Sequence, residues 1–237
     1  MTPRAGALLT VAALVVAAHV TASCAPPSPA ERGEALFSDP GLSDSPSNAM
    51  SCATCHATGA VPAGWLPVGG TLAGVTGRPS FFGGGEPDLR AAINFCLRRF
   101  MRAPAREPLA ADDARGLDLL SYLDSLEGPA DTVPFTLGDL ADDLPDGDAA
   151  RGASTWADAC RSCHGAPSTG AGRLASYVTR VPDETILEHG NDARIRTIEK
   201  VRNGQFYGAG GEMPPFSMER LSDAQLADVL AFLSLPR

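Results

Sequence analysis

Two short segments of this 237-residue chain repeat one arrangement of ligating groups, Cys52-Ala-Thr-Cys55-His56 and Cys160-Arg-Ser-Cys163-His164. Two thiols one helical turn apart can add across the two vinyl groups of a haem, and the imidazole of the next residue then meets the iron from its proximal side. C-x-x-C-H is the attachment signature of haem c, so the residues predict two covalently bound haems. A zinc site would need both thiol pairs at one tetrahedral centre and leaves the two histidines unexplained. A disulfide framework does not require a histidine after each pair.

The far side of each iron needs its own donor. In the second half, Gly210-Gly211-Glu212-Met213-Pro214-Pro215-Phe216 places Met213 49 residues after His164. Prolines restrict the backbone there, which suits a thioether held rigidly over a metal. Met213 is the expected ligand, with Met218 and His189 as competitors. The first half leaves two candidates open. Met101 stands eight residues before Leu109, as Met213 stands eight before Leu221. Cys96 lies five positions upstream of Met101, on a helix expected over Leu89–Phe100, and aligns with Val201 as a buried apolar residue. A thiolate ligand would lower the reduction potential where a thioether raises it.

The elements that must position these groups also come in two copies. Arg32-Gly33-Glu34-Ala35-Leu36-Phe37 and Arg151-Gly152-Ala153-Ser154-Thr155-Trp156 precede the two attachment motifs. Amphipathic helices close the two halves. One carries Leu117, Leu120, Tyr122, Leu123 and Leu126 behind Asp112-Asp113, and the other Leu226, Val229, Leu230, Phe232 and Leu233 behind Ser222-Asp223, at near 3.6 spacing. The first copy holds an insertion of about 11 residues around Asp39-Pro40-Gly41-Leu42-Ser43, because Arg32 to His56 is longer than Arg151 to His164. This repetition predicts domains over 31–128 and 147–237, joined by a Pro- and acid-rich linker at 129–146. Each domain is small, and a haem would supply much of its buried apolar surface.

Residues 1–24 have one Arg near the start, an apolar run from Ala5 to Val20 and small residues after it, the layout of a secretory signal. Sixteen residues rise about 24 Å as a helix, short of the roughly 30 Å hydrocarbon core. Thr21-Ala22-Ser23-Cys24 resembles a bacterial lipoprotein cleavage box, so Cys24 is expected to carry a lipid anchor, with 25–30 as its tether. The expected location is the periplasm or the outer face of a bacterial membrane. The formal charge of −9, with 28 acidic against 19 basic residues and Lys200 the only lysine, argues against nucleic-acid binding. It favours a basic or neutral redox partner protein.

Taken together, the mature chain resembles a dihaem cytochrome c built from two class I domains. The second half carries the resemblance through its CxxCH, the Val201-Arg202-Asn203-Gly204 turn and the Glu212–Phe216 loop. The resemblance implies an all-α fold of a few short helices around each haem and one-electron transfer as the activity. In the first half, Leu36-Phe37 with Leu42-Ser43 and Ser51–His56 looks like the attachment segment of dihaem cytochrome c peroxidases. Ile93-Asn94-Phe95-Cys96 with Arg99 and Met101, then Tyr122-Leu123, is similar to thiosulfate dehydrogenases and related sulfur-oxidising cytochromes, which would make Cys96 a haem ligand. Arg98, Arg99, Arg102 and Arg106 could then receive a small sulfur anion. The expectation is an electron carrier, with a thiosulfate dehydrogenase-like enzyme as the alternative and a peroxidase third.

Overall fold

The computed structural model describes residues 25–138, 143–204 and 212–235. The expected leader and the lipidation site at Cys24 lie outside the described residues. Helices dominate: α1 (Pro29–Phe37), α2 (Cys52–Cys55), α3 (Leu89–Arg99), α4 (Ala114–Asp124), α5 (Ala149–Ala159), α6 (Arg161–His164), α7 (Asp183–His189), α8 (Ala193–Asn203) and α9 (Asp223–Phe232). The one sheet among the described residues is a parallel pair, β1 (His56–Ala57) and β2 (Gly70–Thr71). The all-α expectation is met. Among the described residues no helix is long and apolar enough to cross a membrane.

The Arg-Gly pairs explain themselves once α1 is laid on α4 and α5 on α9. A Cβ at Gly33 would land on the Asp118 carbonyl, and one at Gly152 on that of Asp228, so glycine lets each pair of backbones touch. The preceding arginine forks onto the same aspartate. Arg32 Nε and Nη2 donate to Asp118 at 2.7 Å each, and Arg151 Nε and Nη2 donate to Asp228 at 2.8 Å each. One turn further on, Phe37 meets Tyr122 with ring centroids 5.6 Å apart, and Trp156 meets Phe232 at 6.4 Å. The two crossings therefore share one register, residue for residue.

Local signals start these helices. Ser28 forms a capping box with Glu31, so α1 begins at Pro29, within the stretch expected as tether. Asp148 caps α5, Asp113 caps α4, and Ser222 with Gln225 boxes the start of α9. One stripe residue departs from expectation. Leu117 is 51% exposed, because the crossing at Gly33 turns Gly116, Leu119 and Leu123 inward.

Each half has its own core. The first gathers Phe37, Leu42, Leu97, Leu109, Leu119 and Leu123, with Leu42 supplied by the insertion. The second gathers Trp156, Ile198, Leu221, Leu226 and Leu230, together with Leu144 from the end of the linker. The halves also exchange residues. Leu66 and Val68 of the first half pack on the second core, and Leu174 of the second packs on the first. Leu66 N–H donates to Asp158 O at 2.9 Å across the boundary. The linker lies on both: Phe135 stacks edge-on against Phe82, and Thr136 donates from N and Oγ1 to Glu219.

Candidate haem sites

In the first half, Ser51 and Thr54 box the start of α2, which places Cys52 and Cys55 on one short turn. His56 then leaves the helix in extended conformation and pairs with Gly70. Its ring lies flat on Gly69, where any Cβ would overlap the imidazole. Gly69 N–H donates to Cys55 O at 2.8 Å, tying that loop to the attachment turn.

These groups face a cavity of about 260 Å³. Cys52, Cys55, His56, Cys96 and Met101 all line it, so both distal candidates named from the sequence stand in one wall. Helix α3 supplies that wall through Leu89, Ala92, Ile93, Cys96 and Leu97, the i, i+3, i+4 stripe of one helical face, which its C-cap residue Phe100 continues. Cys96 is thus a member of the apolar stripe as well as a potential donor. Met101 follows the helix and is 4% exposed. On the far face of α3, Asn94 is buried and exchanges two hydrogen bonds with the Leu109 backbone, at 2.9 and 3.0 Å, which pins the entry to α4.

Burial sets the electrostatics. It raises the Cys52 thiol to about 11 and the Cys96 thiol to about 12, and raises that of Cys55 further. Burial, with the Arg78 and Arg220 charges adding to it, holds the His56 imidazole down at about 4, so the ring is neutral. A neutral imidazole is the form that ligates iron. His56 Nδ1 is buried without a hydrogen-bond partner.

In the second half, His164 stays at the end of α6 and its Nδ1 lies 2.9 Å from Thr179 O. That contact makes Nδ1 the protonated nitrogen and leaves Nε2 with its lone pair for a metal. Burial lowers the His164 pKa, and Trp156 lies 5.9 Å from it, ring to ring. Cys160 and Met213 both pack on the second core. Met213 is positioned from α8: Phe216 N–H donates to Val201 O at 2.8 Å, and a Cβ at Gly204 would strike Met213 O. Arg202, 1% exposed, donates to Phe216 O at 3.3 Å, Leu221 O at 2.6 Å and Asp223 at 2.6 Å, which fixes the loop's exit into α9. Met218 is 38% exposed, and His189 ends α7 beside Glu188.

The arginine cluster does not form one site. Arg98, Arg99, Arg102 and Arg106 are absent from the cavity lining. Arg99 lies over Phe95, 5.8 Å from its ring centre. Arg102 donates from Nη2 to Glu212 at 2.9 Å and lies 4.1 Å from the Tyr177 ring centre. The arginines that do line the cavity are Arg78 and Arg220. Neither belongs to a motif, and their signal appears only when residues far apart in sequence are brought together. Met50, buried just before the attachment turn, also lines it.

The residues fit a haem. The first cavity is apolar, holds both thiols and a neutral histidine, and carries two guanidinium groups with no carboxylate among the described residues that line it. No curated protein matches the chain. Residues 147–233 match the family described as cytochrome C oxidase, cbb3-type, subunit III. The second half is therefore a c-type cytochrome domain, with the covalently bound haem c and the haem electron-transfer role that such a domain brings.

Proposed function

We propose that the chain is a dihaem c-type cytochrome of the bacterial cell envelope, passing single electrons between partner proteins. The observation that carries the reading is the duplicated helix crossing, with a CxxCH turn set beside each of two cores. Cys52 and Cys55 would attach one haem, with His56 and Met101 as the side chains that would donate to its iron. Cys160 and Cys163 would attach the other, with His164 and Met213. Each bound haem supplies a reversible one-electron couple between ferrous and ferric iron. The chain's own part would be to hold the donor side chains, with the Thr179 carbonyl orienting His164 and the Arg202 clamp fixing the Met213 loop. Cys24, as a lipidated first residue, would hold the protein at the membrane through the 25–30 segment.

Mass spectrometry of the matured protein should show two haem increments; one increment or a bare polypeptide overturns the reading. Met213→Ala should remove the near-infrared sulfur-to-iron band of one haem and spare the other. An unchanged spectrum would remove Met213 as a ligand.

A second reading, oxidation of a small sulfur anion such as thiosulfate, is favoured by one observation: Cys96 stands in the cavity wall beside Met101. Electron paramagnetic resonance decides between them. Loss of a low-spin thiolate signal in Cys96→Ser supports the enzyme, whereas identical spectra for wild type and variant support the carrier.

A further inference from the structure

The first cavity is not built by the first half alone. Pro214, Pro215, Ser217 and Arg220, all from the segment after Met213, line it, as do Val133 and Phe135 of the linker. Met213 itself packs on the second core. One segment of the second half therefore reaches both places, Met213 and Phe216 on the second core and Pro214, Pro215, Ser217 and Arg220 on the first cavity.

Arg220 is the charged member of this borrowed wall. Its Nε and Nη2 donate to Pro67 O of the first half at 3.3 and 3.1 Å, and its guanidinium lies next to Gly70, the partner of His56 in the sheet. Arg78 comes from the other direction, and its Nη2 donates to Thr71 O at 3.0 Å and Ala73 O at 2.8 Å. Its Nε is buried and has no partner. Among the described residues neither arginine has an ion pair, whereas Arg32, Arg115, Arg151 and Arg202 each hold a carboxylate. Burial lowers the pKa of both unpaired groups. Two part-buried cations in one apolar wall cost free energy unless an anion joins them. A guanidinium has five donors, and the carbonyl contacts use only some of them.

The geometry points to Arg220, together with Arg78, as the pair that receives the two propionate carboxylates of the first haem, so that the second half supplies a counter-charge to the haem of the first. This rests on the dihaem reading. The consequence is specific: a substitution in the second half alters the first haem. A cation beside a haem favours the reduced form, whose iron carries one positive charge fewer. Removing it lowers the potential.

The test is a potentiometric titration of the full-length matured protein carrying Arg220→Gln or Arg220→Lys, with Met213→Ala run separately to mark the second haem's component. Mass spectrometry first establishes two haems in each variant, so a failure of the dihaem reading shows there as missing mass. In Arg220→Gln the potential of the component that Met213→Ala leaves in place should fall, while the other holds. Arg220→Lys should keep most of the wild-type value. An unchanged first component in Arg220→Gln, or a shift confined to the second, overturns the assignment. Arg78→Gln gives the same reading from within the first half should Arg220→Gln fail to fold; an unmoved first component there is equally decisive against it.

Discussion

His56 and His164 end the same five-residue motif, yet the chain treats them differently. His164 stays helical and gives its Nδ1 to the Thr179 carbonyl. His56 turns out into a strand, and shape holds it instead, with Gly69 against one face of the ring and Nδ1 left without a partner. The helix crossings behind the two histidines match residue for residue. The duplicated scaffold is thus kept where it holds each half together and varied at the histidines that end the two motifs. A hydrogen bond to the outer nitrogen of a ligating imidazole orients the ring and raises its basicity, so on the proposed dihaem reading the two irons would differ in potential even with the same donor atoms.

The most damaging way to probe the shared part is to separate the crossing helices. Gly33→Val and Gly152→Val each push a side chain into a backbone carbonyl on the closing helix, at a cost of about 3 kcal/mol or more. Each should lower the melting temperature, and on the dihaem reading each should lose the haem of its own half first, so that haem content falls from two towards one per chain. Equal loss from both halves in either variant would mean that the two cores do not stand separately.

A smaller effect distinguishes the two forks. The Asp228 side chain is 6% exposed and also accepts from Asp148 N–H at 2.6 Å, while the Asp118 side chain is 15% exposed. Asp228→Asn should cost about 2 kcal/mol and Asp118→Asn less, since Asp228 alone carries the extra backbone bond and is the more buried of the two. Urea titration of the two variants reads the difference. Equal losses would show that the extra bond at the α5 cap adds nothing.

Both crossings were legible in the sequence as repeated Arg-Gly pairs, because contacts between helices of one half recur at fixed offsets. The two C-x-x-C-H motifs stand out in the sequence because the chemistry they are expected to serve needs adjacent residues. Leu117 misled, since a stripe counted at 3.6 does not say which of two neighbouring faces the partner helix will take, and Gly33 decides that. Arg78 and Arg220 carried no signal at all. They stand 142 positions apart and become a pair only when the linker folds Phe135 and Thr136 back between the halves. The arginines that cluster in sequence, 98 to 106, point elsewhere in space, with Arg102 bound to Glu212.

That same ion pair supplies the next comparison. Arg102 follows Met101 and Glu212 precedes Met213, so one salt bridge of 2.8 Å joins the two segments that bear the expected thioethers. Both side chains are about a quarter exposed, and the bridge should contribute about 1 kcal/mol or less to stability. Glu212→Gln should therefore leave folding nearly intact. If the bridge holds both loops in position and the proposed ligands Met101 and Met213 are right, the sulfur-to-iron bands of both haems should shift slightly; a change in the Met213 band alone would confine its role to the second half.

The gentlest test uses two glutamates at one register. Glu107 stands two residues before Leu109 and Glu219 two before Leu221, but only Glu219 binds the linker. The Thr136 hydroxyl and N–H donate to its carboxylate and hold its pKa at about 2. A depressed carboxyl stabilises the fold above its unfolded value of about 4.3, and that contribution drains away as pH falls towards 2. Because Glu219 is exposed, the effect is a fraction of a kcal/mol, local to the linker contact. Amide exchange at Thr136 and Met218 should accelerate across that acid window in wild type. Glu219→Gln should flatten the response and Glu107→Gln should leave it as it is. Identical profiles for all three proteins would mean that the linker is held by Phe135 against Phe82, with the carboxylate contributing nothing.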